Sequence, residues 1–149
     1  MAKHLSKRLG LLLFDCDHEI ELQTGSSISN YFKLHGEAGF RAVESAILDK
    51  LTSRSGVLST GGGSVLLDVN RSMLRHRCVV VYLHSTPDEV FRRIRYDSLR
   101  PLLQVDDPLA QLKNLYIDRD PLYRETANIV IESGKFPIST LLNLIVSHL

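Results

Sequence analysis

The sequence predicts an α/β protein in which parallel strands alternate with helices. Short, wholly apolar runs of the kind found in strands buried on both faces, such as Leu11 to Phe14 and Val79 to Leu83, predict it. So do the segments of helical periodicity between those runs, and the cap and breaker residues at the junctions. Residues 2 to 9 read as a helix closed by Gly10 as its C-cap. Leu11 to Phe14 reads as the first strand. Residues 37 to 53 repeat Val43, Ile47, Leu48 and Leu51 at helical spacing. Val57-Leu58 and the run from Val79 to Leu83 follow as strands. Pro87 opens another helix at its first turn, "ANIVIES" reads as a last strand, and residues 137 to 149 place Ile138, Leu141, Leu142, Ile145 and Val146 on one helical face.

With 149 residues, 44% hydrophobic and 23% charged, the chain suits one globular domain, 1 to 149, with a real core. Lys and Arg number 18 against 17 for Asp and Glu, so no bulk charge draws it to nucleic acid or to an anionic membrane. Cys16 and Cys78 are too few for a disulfide framework, which points to the cytoplasm and to two inert thiols. The basic start before Leu11 lacks a signal-length apolar core, and nothing later is long enough to span a bilayer.

Parallel α/β folds bind ligands at the carboxyl ends of their strands, and three such places carry candidate chemistry. After the first strand, "FDCDHE" sets Asp15 and Asp17 at a strand-to-helix junction. Carboxylates there can hold a metal through water or accept a proton from a hydroxyl; an N-cap with a solvated neighbour is the plainer reading. After the second, Gly61, Gly62 and Gly63 let the backbone approach a ligand and offer N–H groups to an anion, or form a bare turn. Third, Arg100 lies in "DSLRPLLQVDDP", a polar stretch between helices (about 97 to 107) that suits a mobile lid or a solvated loop.

Arg41, Glu44 and Leu48 at i, i+3 and i+7, followed by "LSTGGGSVL", resemble the signature of shikimate kinases. "FDCDHEIELQTG", "HGEAGFRAVE", "RPLL" and "DRDPLYRETANIVIE" resemble further blocks of that family, in order and at its spacing. The resemblance implies a P-loop kinase-like three-layer fold with a parallel sheet, and transfer of the γ-phosphate of ATP to the 3-hydroxyl of shikimate in aromatic amino acid biosynthesis, with Mg²⁺, by a cytoplasmic monomer. By the same resemblance Asp17 holds the ring hydroxyls and is the candidate base, while Asp15 reaches Mg²⁺ through water. Arg41 and Arg119 clamp the shikimate carboxylate, for which paired guanidinium forks suit a planar anion. Gly61 to Gly63 lie against the substrate. Arg100 neutralises the phosphoryl group in transfer, and Arg93 flanks the adenine, a role open also to Arg92 or Arg95. Cys16 stands where the family often has serine.

One block departs. The six lysines stand at 3, 7, 33, 50, 113 and 135, and none completes a GxxxxGK[ST] loop, the phosphate cradle that follows the first, central strand in such kinases. The resemblance therefore implies a fold lacking that strand and loop, roughly 20 residues ahead of Met1. Losing the strand's apolar burial costs on the order of 5 to 15 kcal/mol, as much as a domain's whole stability. Impaired activity is the corresponding expectation, and a non-catalytic shikimate-binding module or a decayed kinase is the alternative. A start codon placed too late is favoured over gene decay or a true short form. The DNA upstream of Met1 should then encode, in frame, an apolar strand and a GxxxxGK[ST] loop; sequencing that finds a stop codon directly before Met1 and no loop beyond it overturns the expectation.

Overall fold

A computed structural model describes residues 1–96 and 104–149. The chain forms two compact units, Met1–Val79 and Val80–Leu149. The first holds α1 (Ala2–Leu9), β1 (Leu13–Asp15), α2 (Cys16–Thr24), α3 (Ile28–Thr52), β2 (Val57–Ser59), a 3₁₀ turn (Gly62–Leu66) and α4 (Asp68–Arg77). The second holds β3 (Val81–His84), α5 (Pro87–Ile94), α6 (Pro108–Thr126), β4 (Ile129–Glu132) and α7 (Ile138–His148). In each unit two strands pair in parallel: β1 with β2, Phe14 opposite Leu58, and β3 with β4, His84 opposite Glu132. Parallel neighbours need a crossover, here α2 with α3 in the first unit and α5 with α6 in the second.

The predicted elements are present within a residue or two of their expected bounds. Gly10 closes α1 in the left-handed region, its N–H bonded to the carbonyl of Ser6. Thr86 opens α5 with a reciprocal capping box to Glu89, and Pro87 follows at the first helical position. The helix read as starting at 37 is the second limb of α3, which breaks at Gly36 (φ 69°, ψ −176°). That backbone conformation strains any residue with a Cβ. Pro121 lies inside α6, where it removes one donor from the helical ladder.

Ile47, Leu48 and Leu51 of α3 are buried together with Phe14, Cys16, Ile20, Phe40, Val65 and Leu74, while Leu112, Ile131, Leu141 and Ile145 form the core of the second unit. Burial of the strands departs from expectation. Only Phe14 of the first apolar run is buried, and Leu12 is 64% exposed. A two-stranded sheet supplies a neighbour on one side of each strand only, so β1 and β2 lack the cover that central strands enjoy. Among the described residues no helix is long and apolar enough to cross a membrane.

Leu48 is fully buried on the helix that also carries Arg41 and Glu44. Leu48→Ala should cost about 2–5 kcal/mol, seen as a lower denaturant midpoint. A surface exchange on the same helix, Lys50→Ala, should stay within about 0.5 kcal/mol.

Candidate active site

β1 delivers its last residue, Asp15, to the start of α2, where Oδ1 accepts a hydrogen bond from the backbone N–H of His18 at 3.1 Å. Asp15 is thus an N-cap, and its exposed carboxylate keeps a second oxygen outside that bond. Cys16 is fully buried, and burial, with the neighbouring Glu44 and Asp17 charges, pushes its thiol up to about 12. It stays protonated and unreactive, as expected.

Asp17 projects from the first turn of α2 toward the glycine loop. A Cβ placed on Gly61 would stand 3.5 Å from Asp17 Oδ1 and 3.6 Å from Glu44 Oε1, so two carboxylates converge on that turn. Partial desolvation, followed by the charges of Asp15, Glu44 and Glu21, raises the Asp17 carboxyl above its ordinary range, and Arg41 only partly offsets them.

Glu44 organises this cluster although the sequence showed it only as part of a spacing pattern. Its side chain is 1% exposed, and both oxygens are occupied: Arg41 Nη1 donates to Oε2 at 2.8 Å, and Ser64 Oγ donates to Oε1 at 3.1 Å. Asn70, also fully buried, donates through Nδ2 to the Ser64 carbonyl at 3.0 Å and so secures the 3₁₀ turn from below. A buried carboxylate survives only when paired and hydrogen-bonded. The Arg41 guanidinium, held by that pairing, lies against Gly63, where a Cβ would overlap it. None of Gly61, Gly62 and Gly63 has positive φ. Space, not backbone conformation, is therefore what a side chain at position 63 would lack, and the occupant of that space is the end of an arginine of the protein itself.

In the second unit, Arg93 on α5 donates through Nη2 to Ser85 Oγ. It lines a pocket of roughly 210 Å³ with Glu89, Arg92, Gly134 and Lys135. A Cβ on Gly134 would overlap the Glu89 carboxylate, so a side chain there would have to displace it. Arg95, the third arginine of that stretch, does not line the pocket and stacks its guanidinium over the Tyr96 ring at 4.8 Å. Arg119 is half-buried on α6. Arg100 lies outside the described residues. Among the described residues there is no cluster of three or more His, Cys, Asp or Glu that could hold a metal ion.

The family model for shikimate kinase matches residues 1–149. The chain belongs to the shikimate kinase family. It is 47% identical over its whole length to a shikimate kinase of Burkholderia pseudomallei, covering 82% of that protein, and 52% identical over 136 residues to one of Nitrosospira multiformis, covering 70% of it. Among solved structures, shikimate kinase from Acinetobacter baumannii in complex with shikimate superimposes with a TM-score of 0.86 at 42% identity, over 99% of this chain and 85% of that one. The Aquifex aeolicus enzyme gives 0.83 at 31% identity. The parallel α/β architecture is the family's P-loop kinase-like fold, and membership makes the chain a phosphotransferase of the shikimate pathway with ATP as co-substrate.

Because Gly63 is filled by Arg41, Gly63→Ala should displace the guanidinium, strip Glu44 of its charge partner and cost about 1–3 kcal/mol. Gly61→Ala, where the new methyl meets only ordinary contacts, should cost clearly less; equal thermal midpoints for the two variants would contradict this geometry.

Proposed function

We propose that Asp17, Arg41 and the Gly61–Gly63 turn form the shikimate side of this kinase's active site. The observation that carries the reading is the convergence of the Asp17 and Glu44 carboxylates and the Arg41 guanidinium on one glycine turn. A polyhydroxy acid offers matching groups: hydroxyls for a carboxylate acceptor, and a planar anion for an arginine fork. The solved relative bound to shikimate supports the choice of ligand.

In this reading Asp17 accepts the proton of the 3-hydroxyl as its oxygen attacks the γ-phosphorus of ATP, the bond to the bridging oxygen breaks, and ADP leaves. Arg41, aimed by the buried Glu44, and Arg119, assigned from the motif "DRDPLY", hold the carboxylate. Backbone at Gly61, Gly62 and Gly63 lies against the ring, and Gly63 also leaves room for the Arg41 guanidinium. Arg100, from "RPLL", meets the charge of the phosphoryl group in transfer, and Arg93 flanks the adenine at the pocket it lines. Asp15, an exposed hard-oxygen donor beside Asp17, fits an Mg²⁺ ion held through water; the ion would supply neutralisation of phosphate charge. A second reading, a shikimate binder without phosphoryl transfer, rests on the same convergence at the glycine turn, which by itself calls only for shikimate. Calorimetry separates the two: shikimate binding together with ATP binding supports the kinase, and shikimate binding with no ATP binding supports the binder.

Arg41→Lys keeps a charge but loses the fork, so it should weaken shikimate affinity with little change in turnover at saturation. Asp17→Asn should lower turnover about 10²-fold or more. The base works only when ionised, and its carboxyl is raised, so activity should fall as pH drops through a value above the usual carboxylate range. That acid limb should be missing from the residual activity of Asp17→Asn. A limb that persists unchanged in the variant assigns the base elsewhere.

A further inference from the structure

We propose that His84 is a positioning residue: through Tyr116 and Glu132 it sets the roll of α6 about its axis, and with it the aim of the Arg119 guanidinium. The proposal rests on the assignment of Arg119 as a carboxylate arm. His84 ends β3 and is 6% exposed. Its Nδ1 lies 2.7 Å from Glu132 Oε2 on the paired strand, and its Nε2 lies 2.9 Å from the Tyr116 hydroxyl on α6. A carboxylate can only accept, so Nδ1 carries a hydrogen toward Glu132, while Nε2 pairs with the Tyr116 hydroxyl and has Asp120 Oδ1 3.8 Å away. Both ring nitrogens are committed to different elements, one to β4 and one to α6.

A second tie lies one turn along. The Tyr82 hydroxyl of β3 donates to Asp120 Oδ1 at 2.9 Å, while Arg124 Nε donates to Oδ2 at 2.9 Å. Burial would raise the Asp120 carboxyl, but the hydrogen bonds from Arg124 and Tyr82 outweigh it and hold it low. The Tyr82 ring also packs on Tyr123 with centroids 4.9 Å apart. Tyr116, Asp120 and Tyr123 are thereby fastened from successive turns of α6 to the end of β3.

Arg119 lies three residues after Tyr116 and four before Tyr123, in one stripe with the buried Leu112 and Thr126. Whatever fixes that stripe fixes the direction in which Arg119 leaves the helix. At a helix surface about 5–6 Å from the axis, a 10° roll moves a group by about 1 Å, a displacement that suffices to lose a bidentate contact. Apolar packing alone would hold the helix with less angular definition, because dispersion contacts are not directional and hydrogen bonds are.

The test measures shikimate binding by calorimetry for the full chain and for Tyr116→Phe, His84→Gln, Arg119→Lys and the double variant His84→Gln/Arg119→Lys. Tyr116→Phe keeps the ring and loses only the hydroxyl, so it guards against a His84 variant that fails to fold. Each of the first two should weaken binding about 3–10-fold, and His84→Gln should add less than about twofold once Arg119 is lysine. Unchanged affinity in Tyr116→Phe, or effects of His84→Gln and Arg119→Lys that simply multiply, overturns the proposal. Arg119→Lys with unaltered affinity would instead sink the Arg119 assignment, and amide exchange then decides the helix claim separately. Tyr116→Phe should speed exchange in α6 at residues 117–124 about tenfold relative to α7; equal acceleration throughout residues 80–149 leaves His84 no positioning role.

Discussion

The first unit is organised around a buried negative charge. Glu44 is sealed inside the fold with one oxygen given to Arg41 and the other to Ser64. The desolvation of that carboxylate must be offset at every moment the protein is folded, and these two donors, brought from its own helix and from the 3₁₀ turn, are placed to offset it. From that requirement follow the pose of Arg41, the glycine at 63, the turn that carries Ser64 and the burial of Asn70 beneath it. The raised Asp17 carboxyl is a further result, since the same charge lies close enough to oppose its ionisation.

The second unit solves a related problem without a fully buried ion. His84 with Glu132 and Tyr116, and Tyr82 with Asp120 and Arg124, form two runs of directional bonds, of which Glu132 and Arg124 reach solvent. Burial also raises the Tyr82 hydroxyl, aided by its bond to Asp120, so it remains a donor throughout the physiological range. Polar networks of this kind specify one packing among several that apolar contact would tolerate. Each unit thus holds an arginine side chain by directional bonds to a carboxylate, Arg41 on Glu44 and Arg124 on Asp120.

Much of the fold was legible because its signals are local. Gly10, Pro87 and the alternation of apolar runs with helical periodicity mark elements through backbone conformation and period, which need no knowledge of the tertiary structure. Asp17, Arg41 and the glycines were legible as a spaced set. The role of Glu44 was not, because its second partner stands 20 residues away, and a glutamate on an amphipathic helix carries no mark of burial. The tie between His84 and Glu132 spans 48 residues and appears only once β3 and β4 are paired. Gly63 shows the limit from another side: its need for space was readable, but the Arg41 guanidinium that lies against it was not. The exposure of β1 also escaped, since an apolar run reports a preference for burial and not the number of neighbours that supply it.

The close fit of Gly63 against Arg41 bears on how such a site can change over time. A side chain at 63 requires the end of Arg41 to move, shortening Arg41 leaves the Glu44 carboxylate without its charge partner, and removing Glu44 leaves Arg41 with the exposed Glu37, 3.6 Å from its Nε. Every single step from this arrangement leads through a worse one. A change at any of positions 41, 44 and 63 is therefore coupled to the other two.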